Sequence, residues 1–128
     1  MSFLFRRTSR DEIDMEARSP ELGIKYKDVS LLGLMVEQGA DLTQPRHALY
    51  FLYFNSADVA HAAADDGRAA GYTCEVRDPV PQGPGQWSVV CERPDALLDP
   101  AGVRAADDLF QGIADRHSGE FDGWEAAV

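Results

Sequence analysis

Cysteine is almost absent from this chain. The two that occur, Cys74 and Cys91, form no CxxC pair and cannot build a disulfide framework. Long apolar runs are missing too, and nothing approaches the roughly 20 residues a membrane-crossing helix needs. The start, MSFLFRRTSR, places its short apolar piece Phe3-Leu4-Phe5 ahead of its arginines. That order is the reverse of a secretion signal, so the expected address is the cytoplasm, with both cysteines as free thiols. Basic residues are scarce: 12 lysines and arginines stand against 22 acidic side chains, for a formal charge of −10. A nucleic-acid binder normally displays a basic stripe. The one cluster here, Arg6-Arg7-Arg10, is followed at once by Asp11, Glu12, Asp14 and Glu16. Direct binding of DNA or RNA is therefore disfavoured. The acidity serves solubility and also suits a basic partner.

Signatures of chemistry are equally thin. His47, His61, His117, Cys74 and Cys91 fall in no HxH, HExxH or CxxC spacing, so no metal site is expected. Cys74 and Cys91 sit on the apolar sides of two neighbouring strands, where cysteine packs as a small hydrophobe. There is no GxSxG. The pairs Asp65-Asp66 and Asp107-Asp108 lie on helices, where adjacent side chains diverge by about 100° and do not converge on a substrate; both pairs read as solvated faces. The glycines of Gly83-Pro84-Gly85 precede a strand, which is wrong for a phosphate loop. A catalytic reading would need His47 or His117 in a pocket beside a carboxylate. No cofactor is implied, and a non-enzymatic role is the expectation.

What is present is organised around His47–Phe54, HALYFLYF. Its length suits a strand. Leu49, Phe51 and Tyr53 would face one way, and Ala48, Tyr50, Leu52 and Phe54 the other. Apolar side chains on both faces place it at the centre of a sheet. Before it, residues 1–22 mix charges without a period and read as a mobile arm, with room for a short helix over Arg10–Arg18. Asp28 is positioned to cap a helix from Val29 to Gln38, which carries Leu31, Leu32 and Met35 on one stripe with Leu34 beside it and ends at Gly39. After the central strand, Ser56 caps a helix from Ala57 to Ala70 whose face is Val59, Ala60, Ala63, Ala64 and Gly67, and Gly71 ends it.

Tyr72–Arg77 alternates as a half-buried strand. Pro79, Pro81, Gly83, Pro84 and Gly85 form a turn, and Trp87–Glu92 returns as the second arm of a hairpin. Asp95–Asp99 is a loop. Asp99-Pro100 starts a helix on Val103, Ala106, Leu109, Phe110, Ile113 and His117 that runs to Ser118 and ends at Gly119. Glu120–Val128 is the last strand. The predicted fold is α+β: a ferredoxin-like split βαβ sandwich with an antiparallel sheet, preceded by an extra N-terminal helix, with residues 23–128 as the domain. Both later helices cover one sheet face, and the first helix or a partner is left to cover the other.

The last strand holds Phe121-Asp122-Gly123-Trp124-Glu125. Glycine inside a strand signals a bulge or a close approach. With regular alternation Phe121 and Trp124 face opposite sides; a bulge at Gly123 would upset that parity. Tryptophan beside acidic residues has the makings of an interaction anchor, or else packs beneath the first helix.

Three pieces together resemble the RraB family, small acidic regulators of the endoribonuclease RNase E. The first is a helix ending in glycine, then Pro45-Arg46 and Ala48–Phe54. The second is a helix closing on Ala70-Gly71-Tyr72 and entering an alternating strand. The third is Glu120-Phe121-Asp122-Gly123-Trp124-Glu125, similar to the family's aromatic-Asp-Gly-Trp strand. The likeness spans residues from about 24 to 127. It implies a ferredoxin-like fold, no catalysis, and inhibition of an RNase E-type nuclease by contact with its basic, RNA-binding regions. On that reading Asp122, Trp124 and Glu125 are contact residues and Gly123 shapes the strand. Arg46 either bridges a loop carboxylate or faces the partner. Well-known members carry a long acidic tail after this strand, whereas here the sequence stops at Val128. The alternative is a small-ligand sensor or a homodimer that pairs through the sheet.

Overall fold

The computed structural model describes residues 14–127, which fall into two compact units divided between Ala40 and Asp41. In the first unit a turn reverses the chain. Ser19 N–H donates to the Ile24 carbonyl at 2.7 Å and Tyr26 N–H to Ala17 at 2.9 Å, while Arg18 and Lys25 form an antiparallel bridge. The Glu16 carboxylate meets Lys25 at 3.2 Å and Lys27 at 2.5 Å. This turn leads into helix α1, Tyr26–Glu37. The cap expected at Asp28 is not there: Lys25 is the N-cap, no side chain caps the helix, and Asp28 is a buried first-turn residue. The preceding hydrogen-bonded turn fixes the start instead. Residues 14–18 form a turn and a bridge rather than a helix; the rest of the expected Arg10–Arg18 segment lies outside the described residues. Gly39, at φ +93°, ends α1, and Ala40 N–H reaches back to the Met35 carbonyl.

The second unit runs β1 (Arg46–Phe54), α2 (Ala57–Ala69), β2 (Thr73–Arg77), β3 (Trp87–Ala96), α3 (Pro100–Arg116) and β4 (Glu120–Ala126). The sheet order is β2-β3-β1-β4, with every pairing antiparallel. The strand anticipated at the centre therefore has neighbours on both sides. Its face of Ala48, Tyr50, Leu52 and Phe54 is buried, and Leu49, Phe51 and Tyr53 are half-buried. β3 continues past the expected Glu92 to Ala96, because a register shift between Arg46 and Ala48 lets Arg46 pair Ala96.

Helices α2 and α3 lie on the same sheet face. Phe110 of α3 is fully buried there; its ring stacks on Tyr50 at 4.7 Å and meets Tyr72 at 4.9 Å and Phe121 at 5.7 Å. α2 approaches closely because Ala60, Ala63, Ala64 and Gly67 form its buried side. Cys74 and Cys91, opposed across β2 and β3, are buried free thiols packed against Gly67.

Ser56 accepts from Val59 N–H at 3.3 Å and Asp99 from Gly102 N–H at 2.8 Å, so both capping residues act as the sequence indicates. The end of α3 differs. Ser118, at φ +54°, takes the left-handed position assigned to Gly119, and Gly119 N–H returns to Ala114 at 2.8 Å. Gly119 is small for another reason: a Cβ there would fall 2.3 Å from the Phe54 ring.

Candidate protein-interaction edge

β4 is an edge strand, and its register settles where its side chains point. Glu120 pairs Tyr53, Phe121 pairs Leu52, Gly123 pairs Phe51, Trp124 pairs Tyr50 and Glu125 pairs Leu49. The step between Leu52 and Phe51 leaves Asp122 as the extra residue of a bulge. Gly123 sits at φ +111°, where L side chains are strained, and a Cβ there would meet nothing within 4 Å. Conformation, not space, requires this glycine.

The bulge corrects the alternating expectation for the two aromatics. Directly opposed residues share a face, so Phe121 and Trp124 both lie on the helix-covered face with Leu52 and Tyr50. Phe121 is buried and Trp124 half-buried. Glu120 and Glu125 share the other face with Tyr53 and Leu49, and Asp122 is exposed. Burial raises the Tyr53 phenol above its ordinary pKa, and the carboxylates of Asp122 and Glu120 push it further, a local sign of the strand's negative field. The edge thus offers carboxylates on one side and a tryptophan on the other.

Arg46 meets backbone rather than a loop carboxylate. It donates to the Asp41 carbonyl at 2.8 Å and the Ala127 carbonyl at 2.9 Å, while Ala127 N–H donates to His47 at 3.1 Å. Its guanidinium pins the end of β4 to the entry of β1. The structure brings Arg46 to the same strand pair as Asp122, Gly123, Trp124 and Glu125, at that pair's far end.

Several of the residues weighed for chemistry are paired off elsewhere. Asp66 Oδ2 accepts from Arg116 at 2.7 Å and His117 Nε2 lies 2.8 Å away, linking α2 to the end of α3. The hydrogen bond to His117, with help from Arg116, holds the Asp66 carboxyl below its ordinary pKa. Asp65 pairs with Arg68 at 3.0 Å, and His47 pairs with Glu92 in the open. Asp107 corrects the solvated reading of Asp107-Asp108: it is buried, since adjacent helix positions point in different directions, while Asp108 is exposed. Among the described residues no group of three or more His, Cys, Asp or Glu is arranged to hold a metal, and no helix is long and apolar enough to cross a membrane. A cavity of about 470 Å³ opens between α3 and the end of β3, and neither His47 nor His117 lines it. Periodicity had placed Tyr50 and Tyr72 only on faces of their strands, left Arg93 unremarked and put Asp95 in a loop, whereas Asp95 lies in β3.

The strand order and the one-sided helices define a ferredoxin-like split βαβ protein, elaborated by an N-terminal helix. Residues 27–126 match the family RraB, Regulator of ribonuclease activity B, and the chain belongs to that family. It is accordingly placed among regulators of ribonuclease activity. A search of curated proteins finds no match.

Proposed function

We propose that this protein is a non-enzymatic regulator that binds an RNase E-type endoribonuclease and modulates RNA decay by protein contact. The observation that carries the reading is the match of residues 27–126 to RraB. The acid-rich edge around the Asp122–Gly123 bulge supplies a physical route. The charge of −10 favours encounter with a basic, RNA-binding segment and would compete with RNA for it. On this reading Asp122 and Glu125 steer the partner, Trp124 anchors it, Gly123 sets the bulge, and Arg46 holds the strand pair. The protein works in the cytoplasm with its thiols reduced.

The test is calorimetric titration into the nuclease at low and high salt. Tight binding that weakens with salt is expected. Trp124→Ala, checked for an unchanged fold by circular dichroism, should lose about 2 kcal/mol of binding, typical of a tryptophan anchor. Unchanged affinity in that variant rejects the site; no binding by the parent protein at either salt rejects the partner.

A further inference from the structure

The cavity beside α3 is built from the first turns of that helix (Gly102, Ala105, Ala106, Leu109), the end of β3 (Arg93, Asp95), and two phenols, Tyr50 and Tyr72. Its volume of about 470 Å³ lies within the ordinary range for small-molecule sites. It exists because the helix side is lined by small residues. Tyr50 is 98% buried at the centre of the sheet, being 2% exposed. Its ring is held by Phe110 and Tyr72, yet its hydroxyl makes no hydrogen bond to the described residues. Among those residues the one side-chain polar atom sealed away without a partner is Arg46 Nε, so the Tyr50 hydroxyl opens onto the cavity. A buried phenol without a protein partner calls for one from outside.

The charges on the lining are balanced and separable. Arg93 lies over the Tyr72 ring at 5.0 Å and donates Nε to Asp95 at 3.2 Å, and its contacts with the Tyr72 and Asp95 side chains raise its pKa. The side chains of Arg93 and Asp95 are 39% and 68% exposed, so this is a weak surface pair that a ligand could open at little cost. A ligand with a net negative charge would be opposed by the acidity of the whole chain, and a cation would meet Arg93. A ligand with both charges side by side satisfies both groups.

We propose that this cavity binds a free amino acid with an apolar side chain. Its carboxylate meets Arg93 and the Tyr50 hydroxyl, its ammonium meets Asp95, and its side chain packs on Leu109, Ala105 and Ala106. The site stands apart from β4, and the proposal does not depend on the nuclease reading.

The test uses the full chain, with L-phenylalanine, L-leucine and L-methionine as probes, followed by amide chemical shifts and calorimetry. At least one probe should bind at millimolar concentration, with shifts centred on residues 93–109. For the amino acid that binds best, the analogues lacking either the ammonium or the carboxylate should bind at least about tenfold more weakly, the loss of one charged hydrogen bond. Tyr50→Phe keeps the stacked ring and should weaken binding at least about tenfold, as for a hydrogen bond to a charged group. Ala105→Leu, at an exposed position, should fill the cavity and abolish binding without lowering the melting temperature. No binding by any of the three, equal binding by the half-charged analogues, or full binding by a folded Ala105→Leu variant would each overturn the proposal.

Discussion

Gly67 and Gly33 show how one residue type carries opposite meanings. A Cβ at Gly67 would fall 2.6 Å from Cys74 Sγ and 3.1 Å from Cys91 Sγ, both held in the sheet under α2. Gly67→Ala is expected to cost about 1–3 kcal/mol, as overpacking does. A Cβ at Gly33 meets nothing within 4 Å, and the residue lies inside α1. Gly33→Ala should stabilise by about 0.5–1 kcal/mol through helix propensity alone. Urea denaturation of the two variants checks both signs. The thiols differ as well. A hydrogen bond with Cys91 and the nearby Arg68 lower the Cys74 pKa against the opposing effect of burial, while the same bond and burial raise Cys91. Under slow alkylation of native protein Cys74 should label first, and peptide mass spectrometry would show the order. The sequence marked both cysteines as core residues because their strands alternate. It did not show that they converge on Gly67, since that depends on a helix docked from another part of the chain.

Among elements, the contact between α2 and α3 responds to pH. Asp66 of α2 meets His117 and Arg116 at the end of α3, and its carboxyl is held below its ordinary value. A depressed carboxyl pKa adds stability that is fully present above the unfolded value near 3.8 and is lost as pH falls through the folded value. The parent protein should therefore lose stability more steeply below about pH 4 than Asp66→Asn, as chemical denaturation across that range would show. Because Asp66 is partly exposed, the contribution is modest. At the other end of α3, Asp99→Ala removes the acceptor of Gly102 N–H and should cost about 0.5–2 kcal/mol, measurable in the same assay. That cap was legible in Asp99-Pro100. The Asp66 contact was not, because the fold brings together two helix ends 50 residues apart.

For the whole molecule, charge is the dominant property. A net charge of −10 acts over the range of salt screening, so affinity for a basic partner should fall as ionic strength rises. Carboxylates and Trp124 occupy opposite faces of β4, so a partner using both must wrap the edge of the sheet rather than lie on one face. Gly123→Ala strains the φ of +111° and should both weaken nuclease binding and lower the melting temperature, since β4 also carries the buried Phe121. Calorimetry and a thermal melt on the same sample would compare the two.

By itself the sequence determined the element order, the central place of HALYFLYF, the small-residue face of α2, the caps at Ser56 and Asp99, and the acidic character. Each follows from local chemistry: side-chain period, capping hydrogen bonds, and net charge, which need no distant contact. Tertiary structure decided the rest. The β4 bulge placed Trp124 with Tyr50, neighbouring backbone turned Asp28 from a cap into a buried side chain, Arg46 found the Asp41 and Ala127 carbonyls, and four separated segments enclosed the cavity around Tyr50. Those outcomes depend on register and on which surfaces meet, and a one-residue shift in pairing reverses every side chain beyond it.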